Sequence, residues 1–221
     1  MIAVDLIVDE IPALKTSEKG EKALSYMDIY RVSHLPIVNN KQLLGLISDK
    51  DIYDNERENH AIGNHYLSLA NPFVFDNQHI FEIIDMVAKL KLTVIPVLDK
   101  NKNYLGVITL SKLINEFAKM ISVDKAGSII ILDMTILDYS CSEISQIVES
   151  NNAKILSLFI SQFENSTQIN VTIKIDVTDI TSIIKTFERY NYVIKASYLY
   201  EDLIKSLYES RYESFIRYLN T

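Results

Sequence analysis

Apolar positions along this chain follow two rhythms, and each change of rhythm marks an element boundary. Residues 2 to 7 open a first short helix or strand, which Glu10-Ile11-Pro12 stops. Ala23, Leu24, Met27 and Tyr30 then recur at helical spacing, with Ser17 placed to cap a helix that ends near Val32. His34 to Val38 reads as a buried strand, Asn39 to Gln42 as its turn and Leu43 to Ile47 as the partner strand. Asp49 to Tyr53 starts a helix, with acids in the first turn, where the helix dipole favours them.

The same order returns after a polar connector from Asp54 to Asn71. Pro72-Phe73-Val74-Phe75 opens it, and Ile80, Ile83, Ile84, Val87 and Leu90 mark a helix. Thr93 to Leu98 and Tyr104 to Thr109 are its strands, and Lys112 to Met120 is a closing helix with Leu113, Ile114 and Phe117 on one side. The copies share a local frame: His34-Leu35-Pro36-Ile37-Val38 is answered by Val94-Ile95-Pro96-Val97-Leu98, and Gly45-Leu46-Ile47-Ser48 by Gly106-Val107-Ile108-Thr109. The prolines lie 60 residues apart and the glycines 61, which places one added residue in the intervening turn, where insertions are tolerated. Such self-similarity is a fold-level signal.

The duplicated strand-turn-strand frame, with its Gly-x-x-Ser/Thr-x-x-Asp string at Gly45-Leu46-Ile47-Ser48-Asp49-Lys50-Asp51, resembles a tandem pair of CBS domains over roughly residues 1 to 121. In that family two copies pack through their sheets and bind adenine nucleotides in the clefts between them. The resemblance implies repeats over 1–60 and 61–122, a pair that dimerises into a disc, and Asp51 on a ribose with Ser48 on the ribose-phosphate side.

From Gly127 the rhythm changes again. Ile129 to Ile136 reads as a strand, Ser142 to Ser150 as a helix, Ile155 to Phe163 and Ile169 to Val177 as a hairpin around Asn165-Ser166, Ile180 to Tyr190 as a helix and Tyr192 to Tyr200 as a strand. That βαββαβ order is ferredoxin-like. Together with Ala153-Lys154-Ile155-Leu156-Ser157 it resembles an ACT domain over 126–221, a module that binds amino acids or mediates pairing. No glycine follows its first strand, where Asp138-Tyr139-Ser140-Cys141 stands; in that family the glycine lets the backbone approach an amino-acid ligand, so the resemblance leaves amino-acid binding open. From Glu201 onward, Leu203, Leu207, Phe215 and Leu219 form a helical stripe for packing on its own domain or for a dimer contact. The expected fold class is therefore α+β: a CBS pair, a ferredoxin-like ACT-like domain and an added C-terminal helix.

Composition narrows the partners. The chain has 221 residues, 48% of them hydrophobic, and a net charge of -7, so a nucleic-acid or anionic-membrane surface is not expected. A lone Cys141 forms no internal disulfide, the N-terminus lacks the basic and apolar pattern of a signal peptide, and no run is long enough to span a bilayer, which together read as cytoplasmic.

The candidate chemistry sits at the two strand-to-helix junctions. Asp51 can accept from both ribose hydroxyls, Ser48 and the helix amides can donate to phosphate, and Leu35 and Ile37 can supply a slot for a base. Helix capping alone also explains Ser48 and Asp51. In the second copy Thr109 keeps the hydroxyl, but Lys112 replaces the acid and offers donors only; it faces a phosphate or solvent. The two clefts should differ, with at most one ordinary adenosine site. His34 reads as structural or as a ligand contact. His34, His60, His65 and His79 lack metal-ligand spacing, and no catalytic signature is present, so neither metal, cofactor nor catalysis is expected. The leading expectation is a homodimeric regulator that senses AMP, ADP, ATP or another adenosyl compound and acts on an unidentified protein target. The alternative is an assembly module with degenerate clefts that binds a protein partner.

Overall fold

The computed structural model describes residues 1–53, 58–69, 71–162 and 166–199. The chain divides into two compact units, Met1–Phe117 and Ala118–Thr221. The C-terminal helical stripe, and Asn165 of the expected hairpin turn, lie outside the described residues.

The first unit contains the repeat. Its first half runs through α1 (Gly20–Tyr30), β1 (His34–Asn39), β2 (Gln42–Ser48) and α2 (Asp49–Tyr53). Its second half runs through β3 (Val74–Phe75), α3 (Ile80–Leu90), β4 (Val94–Leu98), β5 (Tyr104–Thr109) and α4 (Leu110–Met120). The turn between β1 and β2 holds Asn40 and Lys41 at positive φ, the geometry that lets a two-residue turn follow the strand twist. Both hairpins carry a register shift opposite the motif glycine, between Ile37 and Val38 and between Val97 and Leu98.

One apolar core runs through both halves, including Leu35, Ile37, Leu46 and Ile47 of the first and Val94, Ile95, Val107 and Ile108 of the second. The halves are also cross-stitched by segments outside the repeat frame. The opening residues belong to the second half: a short 3-10 helix covers Ala3–Leu6, the Ala3 and Val4 amides donate to Gln78 O and Asp76 O, and Val8 bridges to Val107. The connector belongs to the first half, where the Ile62 and Gly63 amides donate to Glu18 O and Thr16 O.

The connector also corrects the expected start of α1. Ser17 is not its cap; the helix begins at Gly20, and the Gly20 and Glu21 amides donate to His60 O and Glu58 O at 3.1 and 2.8 Å. Carbonyls of the connector satisfy the first turn, so no hydroxyl is needed. A Cβ at residue 20 would lie 2.9 Å from Glu58 O, which accounts for the glycine.

The second unit has β6 (Ser128–Thr135), α5 (Cys141–Ser150), β7 (Ile155–Gln162), β8 (Gln168–Ile175), α6 (Thr181–Arg189) and β9 (Val193–Tyr198). Its four-stranded sheet has the order β7-β8-β6-β9 with every neighbouring pair antiparallel, the ferredoxin-like arrangement. Alternate residues Ile130, Leu132 and Met134 of β6 and Ile169, Val171, Ile173 and Ile175 of β8 pack with Ile144, Ile147, Ile183 and Phe187 of the two helices. Ser140 caps α5 through the Glu143 amide, a role that accounts for a serine at that position.

Candidate functional site

At the first junction Ser48 and Asp51 make a reciprocal cap. The Ser48 amide donates to Asp51 Oδ2 at 2.8 Å, and the Asp51 amide donates to Ser48 Oγ at 3.2 Å. The other carboxylate oxygen accepts from the Ser68 amide at 3.1 Å, so the connector also holds Asp51. Asp51 is 6% exposed. Burial pushes its carboxyl up, but hydrogen bonds from the Ser48 amide, the Ser68 and Ser48 hydroxyls and the Ser68 amide outweigh it and hold the group below the usual carboxylate range.

The motif glycines create room for the crossing segments. A Cβ on Gly45 would collide with Leu67 Cδ1, and one on Gly106 would lie 2.5 Å from Ile7 Cγ2. Leu67 thus crosses the first repeat as Ile7 crosses the second. Next to Leu67, His65 is buried, its Nδ1 approaches Asp51 O at 3.5 Å, and its Nε2 has no partner among the described residues.

His34 lies at the seam between the halves. Its Nδ1 is 2.9 Å from Thr93 Oγ1 and accepts from the Thr93 amide at 3.3 Å, while Thr93 Oγ1 accepts from the Ser33 amide at 2.9 Å. The imidazole is therefore neutral at Nδ1, and burial lowers its basicity despite the opposing pull of Asp49 and Asp51. Leu35 and Ile37 are buried in the shared core at 0% and 3% exposure and present no accessible wall.

The second junction is built differently. Thr109 Oγ1 accepts from the Lys112 amide at 3.0 Å, as a cap does, but the Lys112 ammonium turns along α4 to pair with Glu116 at 3.0 Å. Thr109 lines a cavity of about 570 Å³, together with Val8, Glu10, Ile11, Tyr30, Arg31 and Asn115 among others. The seven residues expected to bind nucleotide are thus distributed: Ser48 and Asp51 form one capped junction, Thr109 faces a separate cavity, Lys112 pairs along its helix, His34 joins the seam, and Leu35 and Ile37 fill the core.

The repeat frame does not predict Glu10, Tyr30 or Arg31 as cavity residues. One signal does exist: Arg31 and Lys91, 60 residues apart, both end a helix at a left-handed φ of 55° and 53°. A polar residue where glycine would be easier is a departure worth noting.

In the second unit a cavity of about 510 Å³ is lined by Asp133, Asp138, Glu143 and Tyr192 among others. The Tyr192 hydroxyl donates to Glu143 Oε2 at 2.5 Å, and burial followed by the Glu143 charge raises its pKa. Among the described residues no cluster of three or more His, Cys, Asp or Glu is placed to hold a metal ion, and no helix is long and apolar enough to cross a membrane.

With this geometry in hand, the sequence model of the CBS domain matches residues 3–58 and again residues 68–119. Among solved structures the chain is similar to a CBS domain pair/ACT domain protein from Thermotoga maritima, at 17% identity over 54% of this chain and 98% of that one, with a TM-score of 0.48. It is similar to a putative acetoin utilization protein from Vibrio cholerae, at 20% identity over 56% and 95% of the two chains, with a TM-score of 0.49. It is also similar to CBSX2 in complex with AMP, at 20% identity over 53% and 96%, with a TM-score of 0.45.

Proposed function

Residues 3–119 are a tandem pair of CBS domains, and from that premise we propose that the chain is a non-catalytic regulatory protein that binds an adenine nucleotide or adenosyl compound in the cleft of the pair. The observation that carries this reading is the Asp51 carboxylate of the motif, kept charged inside the protein and pinned at the strand-to-helix junction by the Ser48 and Ser68 amides. Two vicinal ribose hydroxyls take over the positions that the Ser68 and Ser48 hydroxyls occupy on this fixed carboxylate, and Ser48 stands beside it for the phosphate side. Occupancy regulates only if the ligand favours one arrangement of the two halves over another, since equal affinity shifts no population. The seam through His34, Thr93 and Ser33 is where such a difference is registered.

The protein acts as a homodimer in this reading. An apolar groove of about 350 Å³ between α3 and α4, lined by Ile84, Val87, Leu113, Ile114 and Phe117 among others, supports pairing, as does Ile114 at 57% exposure. An assembly role with degenerate clefts is favoured by one feature, the diversion of Lys112 to Glu116.

Thermal-shift and calorimetric titrations discriminate the two. AMP comes first because the CBSX2 structure contains it, followed by ATP, ADP, NAD and S-adenosylmethionine. A ligand at a hundredfold excess over its Kd stabilises the fold by about 2.7 kcal/mol. Wild type is expected to respond, and Asp51→Ala to lose one set of sites. No response to any of them leaves the assembly reading.

A further inference from the structure

The two segments that cross the repeats follow equivalent paths but make different contacts. Leu67 lies over Gly45 as Ile7 lies over Gly106, so Ser68 is the counterpart of Val8, and Leu46 the counterpart of Val107. We infer that connector residues 65–69 are a strap with two seats: without ligand Ser68 is latched on Asp51, and a ligand whose vicinal hydroxyls take that carboxylate sends the Ser68 amide to the backbone carbonyl of Leu46. The inference rests on the nucleotide reading above and deepens it, by naming what moves when the first cleft fills.

Three observations lead here. First, the Val8 amide donates to Val107 O at 2.9 Å. That carbonyl needs an outside donor, because the strand residue opposite it is Pro96, which has no amide hydrogen. Second, Leu46 repeats the need. Pro36 stands opposite it, the residue is 0% exposed, and among the described residues no backbone amide outside the hairpin donates to its carbonyl. A buried carbonyl without a donor is unfavourable, so this seat is open and attractive. Third, the amide that fits it is held elsewhere: Ser68 N donates to Asp51 Oδ1 at 3.1 Å, and the Ser68 hydroxyl bonds the same carboxylate.

The surroundings limit the motion to the strap. Its near end is fixed, since the Ile62 and Gly63 amides donate to Glu18 O and Thr16 O. Leu67 serves as the pivot: it keeps its place over Gly45 in both seats, just as Ile7 keeps its place over Gly106 while Val8 bridges to Val107. Asp51 stays held by the Ser48 amide when Ser68 leaves. A diol at Asp51 therefore competes with one residue, Ser68, whose departure is offset by the bond that Leu46 O gains. The connector leads on to β3, so the ligand changes the point at which the chain leaves the first half for the second. That is a differential contact of the kind a population shift requires. A nucleotide without vicinal hydroxyls does not compete with the latch and leaves the strap on Asp51.

The test uses the full chain and nuclear magnetic resonance, reading the scalar coupling that a hydrogen bond transmits between the Ser68 amide nitrogen and the Leu46 carbonyl carbon. The Val8 to Val107 coupling in the same sample is the internal reference. Free wild type is expected to lack the Ser68 to Leu46 coupling. Saturating AMP should produce it, as should Asp51→Ala without ligand, whereas 2′,3′-dideoxy-AMP should not. Calorimetry supplies a second readout: Ser68→Ala removes the hydroxyl half of the latch and should tighten AMP about fivefold while leaving 2′,3′-dideoxy-AMP unchanged. If AMP binds wild type while Ser68 stays off Leu46, or if free wild type already shows the coupling, the nucleotide reading stands and the strap is refuted. The strap is also refuted if Ser68→Ala binds AMP no better than wild type. If no nucleotide binds wild type but Asp51→Ala still seats Ser68 on Leu46, the nucleotide reading falls and the two seats stand.

Discussion

Replacing Asp51 with Asn tests the first junction without changing its shape. The carboxylate accepts from two backbone amides, Ser48 at 2.8 Å and Ser68 at 3.1 Å, in a residue 6% exposed. An Asn keeps one acceptor oxygen and turns the other position into a donor facing a donor. Hydrogen bonds to charged groups contribute roughly 1.5–3 kcal/mol each, and a buried amide left unpaired costs about 1–3 kcal/mol. Because one of the two bonds survives in weaker form, the expected loss is about 2–4 kcal/mol, read as a shift in the urea midpoint at constant slope. Its pH dependence adds a sharper check. The folded-state carboxyl lies below its ordinary range, so its contribution is present above the unfolded value of about 3.9 and is lost as pH falls through the folded value. The gap between wild type and Asp51→Asn should therefore hold from pH 7 to 5 and narrow below about 4. A loss under about 0.5 kcal/mol, or a gap indifferent to acid, would refute the claim that this carboxylate holds the connector.

Other predictions follow from the same contacts. His34 sits below its ordinary pKa with its Nδ1 used as an acceptor; the stability it lends is full above the unfolded value of about 6.5 and declines as pH drops from there toward the folded value, a decline that His34→Asn should remove from a pH series of melting curves. Gly106→Ala places a methyl 2.5 Å from Ile7 Cγ2; a loss of about 1–3 kcal/mol is expected, with Ile7→Ala restoring part of it in a double-mutant cycle. Lys112→Ala removes only a helical ion pair with Glu116, so a stability change of about 0.3–0.5 kcal/mol is expected and one above 1.5 would contradict the assignment.

The elements themselves are legible because period and turn chemistry are local. The hairpin of Leu35 and Ile47, the acids opening α2 and the βαββαβ order after Gly127 all follow from residues close in sequence. What escaped is set by distant partners. Ser17 looks like a cap, but carbonyls of Glu58 and His60 fill that role from across the connector. Leu35 and Ile37 look like a slot for a base because they are apolar and near the motif, and the same apolarity takes them into the core shared with the second half. Glu10 carries no signal at all, since only the cross-stitch of Val8 to Val107 brings the N-terminal segment to the second junction. A repeat frame reports what each copy contains and is silent on what each borrows.

The central claim is that Asp51, held by Ser48 and Ser68, is the acceptor for a nucleotide's sugar. Amide hydrogen exchange with and without saturating AMP addresses it at the residues concerned. The account predicts slowed exchange in the peptides spanning Ser48 to Asp51 and His65 to Leu69, with the effect absent from the first of these in Asp51→Ala. Unchanged exchange in both segments, at an AMP concentration that calorimetry shows to be saturating, would contradict it.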